Sequence, residues 1–423
     1  MYQAPRGTQD ILPEDAHLWA FVEGVARRQA ALAGFGEIRT PTFEATAVFQ
    51  RGVGATTDIV EKEMYTFLDK GGESITLRPE GTAAVMRAYF EHGMGSRPQP
   101  VKLFSLLNTF RYDRPQKGRL REFHQLDVES IGEADPAADA EVVGVHWRYY
   151  AALGLRGLRL VVNSIGDALC RPSYVEALRA YFEAHRTELC EDCNRRLATN
   201  PLRLLDDKTP ACQTILDHAP ASIDHLCEPC GDHFAAWTGY LAAAEIPFSV
   251  EHRLVRGLDY YSRSVWEVLP ANGGAQSTLG GGGRYDGLAE QLGGRSTPGV
   301  GFATGIERIL LALKEQRVEV PAAPGPRAFV VHGPGIARVQ AFQLAEHLRA
   351  SGIATDLALG DRKLGKQMAS ADRSGADVAL IIGEDEAAAG EVSVKNLRGE
   401  DGGEQQRRVP RADVVAFVAE ARP

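Results

Sequence analysis

One stretch, residues 104–132, constrains this chain more than any other: FSLLNTFRYDRPQKGRLREFHQLDVESIG. It opens within an apolar run, residues 103–107, that reads as a buried strand. A polar loop follows, carrying Arg111, Arg114, Lys117, Arg119 and Arg121. Beyond it Phe123, Gln125, Asp127 and Glu129 alternate with His124, Leu126, Val128 and Ser130. That alternation sets Gln125, Asp127 and Glu129 on one face of a second strand. Strand, basic loop and strand make a hairpin with a cationic mouth. Planar guanidinium forks meet phosphate oxygens at two points at once, so the mouth suits a polyphosphate and an RNA end. A charged loop taken alone is more simply a solvated surface hairpin. The Gln125 amide and Glu129 carboxylate argue against that, because such groups cost free energy when buried unless something polar binds them.

Composition narrows the class. A chain of 423 residues has room for two or three domains. A net charge of −9 argues against a delocalised nucleic-acid binder but leaves room for a local basic track. The hairpin is one such track, and Arg362, Lys363 and Lys366 offer a second. The start, MYQAPRGTQDILPED, lacks the basic and apolar regions of a secretory signal. No apolar run approaches the length that spans a bilayer. The expectation is a soluble cytoplasmic protein with no membrane partner.

Read in order, residues 16–32 carry apolar positions at helical spacing, with Asp15 as the expected cap and Gly34 and Gly36 as the stop. Residues 37–44 read as a strand interrupted by Pro41. Residues 64–69 and 74–78 make a hairpin about Gly71 and Gly72, and Arg78-Pro-Glu-Gly-Thr82 leads into a helix over 83–92. A threonine there is ordinarily a helix cap. A helix over 137–153 and a strand over 157–163 follow, then a helical stretch, 167–246, read as an insertion. Residues 254–268 predict a strand with Arg256 and Gly257 at its start. Gly280 to Gly283 are expected between a strand and a helix, where they let the backbone approach a ligand. They form neither a Walker loop nor a GxGxxG turn. Residues 321–326 are a Pro/Ala linker. Beyond it strands alternate with helices, which implies a mostly parallel sheet.

Cysteine usage adds a separate signal. LCEDC and LCEPC place Cys190, Cys193, Cys227 and Cys230 as two CxxC pairs. Four such thiolates suit a tetrahedral zinc; reduced, metal-free turns are the plainer alternative. Cys170 and Cys212 complete the six.

The words FRYDRPQKGRLREFHQ resemble motif 2 of the class II aminoacyl-tRNA synthetases, and that of the histidyl-tRNA synthetases in particular. The helix before the Pro-bearing strand resembles motif 1, which forms a homodimer interface in that family. Gly-Ile-Glu-Arg308 resembles motif 3. RGLDYY (residues 256–261) and GGGRYDGL resemble two histidine-specific signatures. The resemblance covers nearly the whole chain. It implies an α/β fold in the broad sense: an α+β, antiparallel-sheet catalytic core over residues 1–320 with the 167–246 insertion, and an α/β anticodon-binding domain over 327–423. It implies two steps. L-Histidine and ATP, with Mg²⁺, give histidyl-adenylate and pyrophosphate; the histidyl group then passes to tRNA(His), releasing AMP. By resemblance Arg111, Arg256 and Arg308 are catalytic. Glu80, Thr82, Gln125, Glu129, Tyr260 and Tyr261 bind histidine, and Arg111, Asp113, Arg119, Arg256 and Arg308 bind ATP. No catalytic metal ligand is expected. Two positions depart from the family, which often has Glu at Asp113 and Cys at Asp207. The alternative is the family's catalytically dead paralogue, a regulatory subunit of the ATP phosphoribosyltransferase of histidine biosynthesis. That paralogue typically lacks the C-terminal domain and a complete RGLDYY, and this chain has both.

Overall fold

The computed structural model describes residues 2–54, 57, 59–270, 278–322, 325–398 and 406–420. The chain divides into two compact units, Met1–Val320 and Pro321–Pro423. Within the linker read from the sequence, residues 323 and 324 lie outside the described residues.

In the first unit the strands are β1 (Gly36–Glu37), β2 (Phe43–Ala45), β3 (Tyr65–Leu68), β4 (Ser74–Leu77), β5 (Val101–Phe110), β6 (Glu122–Ile131), β7 (Leu158–Ser164), β8 (Phe248–Val250), β9 (Ser262–Pro270), β10 (Gly280–Arg284) and β11 (Gly299–Gly305). An 8-stranded sheet has the order β1-β5-β6-β11-β10-β9-β7-β8, and β2, β4 and β3 form a small second sheet. Only β1 with β5 and β7 with β8 run parallel in the large sheet; its other neighbours are antiparallel. The hairpin is β5 and β6, paired from Val101↔Ile131 to Phe110↔Glu122. One face of β6 sends Leu126 and Val128 into the main core, with Trp19, Val142, Tyr149 and Ile309 from three covering helices. The other face carries Gln125, Asp127 and Glu129, all buried.

Several local expectations are revised. The first helix runs Pro13–Leu32; Leu12 is its N-cap, and Asp15 lies inside the first turn. Proline preorganises a first helical turn, so the helix starts before the position that Asp15 marked. The segment around Pro41 is not one interrupted strand. β1 and β2 belong to different sheets, and proline, with no N–H for a ladder, occupies the gap. RGLDYY lies in the loop before β9 rather than in a strand. The four glycines are not a junction: they are β10 itself, in the interior of the large sheet. A Cβ on Gly282 would stand 2.1 Å from the Gly301 carbonyl oxygen, and one on Gly283 2.6 Å from that of Ser264. Only side-chain-free residues fit between β9 and β11 there.

The second unit has strands β12 (Ala328–His332), β13 (Thr355–Leu357), β14 (Val378–Ile382), β15 (Glu391–Asn396) and β16 (Gln406–Pro410), in the order β13-β12-β14-β15-β16. β12 pairs parallel with β13 and β14, whereas β15 is antiparallel to β14 and β16. The sheet is therefore mixed rather than mostly parallel. The short helix Glu384–Ala389 fills the β14–β15 connection, which is too brief for a parallel crossover. β16 gave no clear sequence signal.

Arg284, at the end of β10, is fully buried. It pairs with Asp139 on the helix Pro136–Ala152, with Asp286 at 3.0 Å and with the Glu133 carbonyl at 2.9 Å. Its removal strands a buried carboxylate, so Arg284→Ala is expected to cost about 3–5 kcal/mol in urea unfolding; a loss below about 1 kcal/mol would show that the pair is not holding the helix to the sheet.

Candidate active site

A cavity of about 910 Å³ opens on the polar face of β6. Glu80, Thr82, Arg111, Asp113, Arg119, Gln125, Arg256, Tyr260, Tyr261 and Arg308 all line it. Glu129 does not reach its wall and sits beneath the floor. Residues far apart in the chain are thus brought together by three neighbouring strands of one sheet, the loop before β9 and two helix starts.

The floor is built from carboxyl groups. Glu80 accepts the backbone N–H of Thr82 at 2.8 Å and of Ala83 at 3.0 Å. It therefore satisfies the free amides of the helix Thr82–Glu91, the task expected of a threonine at that position. The Thr82 hydroxyl donates instead to Glu129 at 2.7 Å. The other Glu129 oxygen accepts from Tyr285. A Cβ on Gly301 would lie 1.9 Å from that oxygen, so glycine at this position makes room for the carboxyl group. Burial pushes the pKa values of Glu80 and Glu129 up. Asp127 differs. Neither of its oxygens makes a well-formed hydrogen bond, although the Gly81 N–H stands near, and Gln125 Oε1 has no partner either. Burial, reinforced by the nearby Glu80, raises the Asp127 pKa to about 8.

The walls are cationic. Arg111 donates Nε–H to the Pro79 carbonyl at 2.8 Å and packs 5.3 Å from the Phe123 ring centre. Burial lowers its pKa and that of Arg308. Arg308 donates to the Gly118 carbonyl at 3.2 Å, linking the hairpin loop to the helix Ile306–Glu315. Arg119 pairs with Asp113 in the loop. Arg256 pairs with Glu267 and lies 5.9 Å from the Tyr261 ring centre. Burial works against its charge, but Glu267 and the two tyrosines outweigh burial and raise its pKa. Its Nε has no hydrogen-bond partner. The tyrosine rings of Tyr260 and Tyr261 lie 4.7 Å apart, and Tyr260 meets Tyr285 edge-on at 5.8 Å.

A family model described as "Histidyl-tRNA synthetase" matches residues 7–309, and one described as "Anticodon binding domain" matches residues 330–421. The histidine–tRNA ligase of Dehalococcoides mccartyi is 51% identical over 398 residues, covering 94% of this chain and 95% of that protein. The chain belongs to the histidyl-tRNA synthetase family. The ligase of Moorella thermoacetica is 50% identical over 413 residues, 98% of this chain and 97% of the other. Apo S. aureus histidyl-tRNA synthetase superposes with a TM-score of 0.83 at 40% identity, covering 99% of this chain and 100% of that one. A Bacillus halodurans structure described as an ATP phosphoribosyltransferase regulatory subunit/histidyl-tRNA synthetase shares the fold at 22% identity and a TM-score of 0.64. The enzyme is a class II aminoacyl-tRNA synthetase that uses ATP to join histidine to tRNA(His); the regulatory alternative is not favoured. No described helix is long and apolar enough to cross a membrane.

Four residues of the synthetase's site escaped the sequence reading. Asp127 stood on the right face of β6, but alternation does not say which polar group stays unpaired. Tyr285 lay within GGGRYDGL, whose glycines drew the attention. Glu267, partner of Arg256, was an ordinary strand residue. Arg78 is buried and bonds the Asn108 carbonyl at 2.7 Å and the Thr40 carbonyl at 2.9 Å, fixing the segment that bears Glu80.

Asp127 makes a sign-specific prediction. Its pKa rises from 3.8 in the open to about 8 in the fold. Between these values the folded chain holds a proton that the unfolded chain has lost, so stability falls as pH rises through about 8. The ligand-free Asp127→Asn variant should therefore gain in Tm on the wild type between about pH 5 and pH 8.5. Parallel pH profiles would show that the carboxyl group is already ionised.

Proposed function

We propose the following division of labour for histidine activation and transfer. The observation that carries it is a group of buried polar atoms left open in the cavity, among them both oxygens of Asp127, Gln125 Oε1 and Arg256 Nε. Two acceptor groups suit an ammonium, and an unused guanidinium donor suits an oxyanion. The histidine α-ammonium lies against Gln125 and Asp127. Glu80 and Thr82 act from behind, one holding the loop and the other holding Glu129.

Arg111 and Arg256 bracket the α-phosphate, with Arg308 over the departing pyrophosphate and Asp113 and Arg119 towards the nucleotide. A histidine carboxylate oxygen attacks the α-phosphorus, and the bond to the bridging oxygen of pyrophosphate breaks. The terminal tRNA hydroxyl then attacks the histidyl carbonyl, and AMP leaves. The arginines are preorganised where negative charge develops, which is the larger part of what such a site contributes. Mg²⁺ would accompany ATP: the wall carboxylates Asp113, Glu267 and Glu307 stand beside the phosphate-binding arginines and could help hold it, and the ion would supply positive charge against the phosphates.

The imidazole is read by polar contacts. It has one N–H and one bare nitrogen. Glu129 stands behind Thr82 and Tyr285 in the ligand-free fold; a ring seated against that wall brings its N–H to this carboxyl group, and the Tyr261 hydroxyl donates to the bare nitrogen. An analogue lacking either nitrogen leaves a buried group unpaired, at a cost of about 1–3 kcal/mol.

The chain works in the cytoplasm, where its substrates are, as a homodimer through the motif 1 region. Strand pairing places Phe43 and Phe67 on one face of the small sheet, yet they are 51% and 47% exposed, as partner-facing residues are. Residues 1–320 are the catalytic domain and 167–246 its helical insertion. The second unit binds the anticodon arm, with exposed Arg362, Lys363 and Lys366 as its basic track.

Histidine-dependent ATP–pyrophosphate exchange tests the core of this reading. Exchange should occur with histidine alone among the amino acids and fall about 10²-fold or more in Arg256→Ala. A folded variant with wild-type exchange would remove Arg256 from the chemistry. Glu129→Gln should raise the KM for histidine about tenfold while that for ATP stays within about twofold. Equal losses for both substrates would sink the imidazole assignment. Sedimentation provides the test of assembly: Phe67→Asp should halve the mass of the particle, and a wild-type monomer would end the dimer proposal.

A further inference from the structure

The two CxxC pairs do not meet. Cys190 and Cys193 stand with Asp207 and Cys212, whereas Cys227 and Cys230 stand with Asp167 and Cys170. In each group the four ligand atoms lie within 4.8 Å of one another. In place of the single four-cysteine centre that the spacing could suit, the structure shows two groups, each of three thiols and one carboxylate. We propose that each centre binds one zinc ion, giving the chain two structural zinc sites.

The donor set selects the ion. Magnesium and calcium take oxygen ligands, whereas three sulfurs and one carboxylate make a tetrahedral site for zinc. Zinc–sulfur bonds of about 2.3 Å put neighbouring sulfurs about 3.8 Å apart, so the groups need only a small contraction.

Several of the sulfurs already face donors that suit a thiolate, the form that binds metal. Cys190 is the N-cap of the helix Glu191–Thr199, and Cys227 that of the helix Glu228–Ala243. Backbone N–H groups point at the sulfurs: Cys193 donates to Cys190 Sγ at 3.4 Å, Cys190 to Cys212 Sγ at 3.3 Å, and Asp167 to Cys170 Sγ at 3.4 Å. Such donors and helix N-termini stabilise negative sulfur. Three thiolates and a carboxylate around a dication leave excess negative charge, and each carboxylate has an arginine on its far side. Asp167 meets Arg263 at 3.2 Å and Asp207 meets Arg196 at 3.7 Å. This is the outer support that metal ligands commonly have.

A plainer reading treats the cysteines as small apolar residues, and Cys193 and Cys212 do pack in the core of the insertion. It does not explain why Asp207, 8% exposed, is buried among three sulfurs. Disulfides fare no better, since three thiols leave one over and the carboxylate is idle. Position supplies a purpose. Asp167 and Cys170 follow β7, where the chain leaves the large sheet. Cys227 and Cys230 begin the helix that leads back to β8. One ion thus ties the two ends of the insertion together, and the other closes residues 190–212 within it. Leu205, Asp206 and Lys208 beside the second ion border the active-site cavity.

The test uses the full-length chain, purified without a metal-chelating tag, reduced, equilibrated with Zn²⁺ and dialysed against metal-free buffer. Elemental analysis should give two zinc ions per chain, falling to one in Cys193→Ser and one in Cys230→Ser. Co²⁺ in place of zinc should give the intense absorption of tetrahedral thiolate coordination, halved in each variant. Asp207→Cys and Asp167→Cys keep four ligands and do not depend on a weakened site folding. Each should retain two ions and release one of them about tenfold more slowly to a chelator. Fewer than two ions on the folded wild-type chain, or two that persist in both serine variants, would overturn the proposal.

Discussion

Three carboxyl groups buried in one corner, those of Glu80, Asp127 and Glu129, set the terms for the rest of the catalytic unit. Charges removed from water cost several kcal/mol each unless protein dipoles replace the water. Here Glu80 is met by the amides of a helix start and Glu129 by two hydroxyls. Each provision imposes structure on something else. The helix must begin at Thr82, Tyr285 must come in under β10, and Gly301 must lack a side chain. Asp127 is left without a well-formed hydrogen bond. The fold therefore leaves an incomplete site of the kind a cationic amino group would complete, and unmet local rules of this kind belong at functional positions.

The glycine strand has a related part. β10 has no side chains from Gly280 to Gly283, so β9, the aromatic ring of Tyr261 and Arg256 close in on it: a Cβ on Gly281 would stand 2.9 Å from the Arg256 guanidinium. Arg256 is in turn held by Glu267 on β9. Local rigidity, rather than flexibility, is what the glycines provide.

Much of this was legible in the sequence. The hairpin and the long helices followed from period-two and period-3.6 patterns; the antiparallel core and the site residues, all but Glu129 in the cavity lining, followed from the family resemblance. What stayed hidden has a common cause: it depends on which distant segments become neighbours. Nothing local distinguishes four glycines in a turn from four glycines in a strand interior. CxxC spacing shows that two sulfurs point the same way, but not that Cys190 seeks Cys212 rather than Cys227. Of the acidic partners, Asp167 carried no cysteine signal, and Asp207 stood out only as a position where the family often has Cys. In the second unit, the shortness of one connection decided the direction of β15, and periodicity does not report direction.

The strand order of the large sheet also bears on how the protein comes off the ribosome. β6 pairs on one side with β5, its hairpin partner, but on the other with β11, which starts at Gly299. The polar face that lines the cavity is thus left half-walled until most of the unit has been synthesised. The insertion, by contrast, has a core drawn from within residues 174–255 and is free to condense first. Long-range pairings form late because loop closure must precede any reward from contact. The nascent chain exposes an open sheet edge beside its arginine loop for the time it takes to translate residues 132–305.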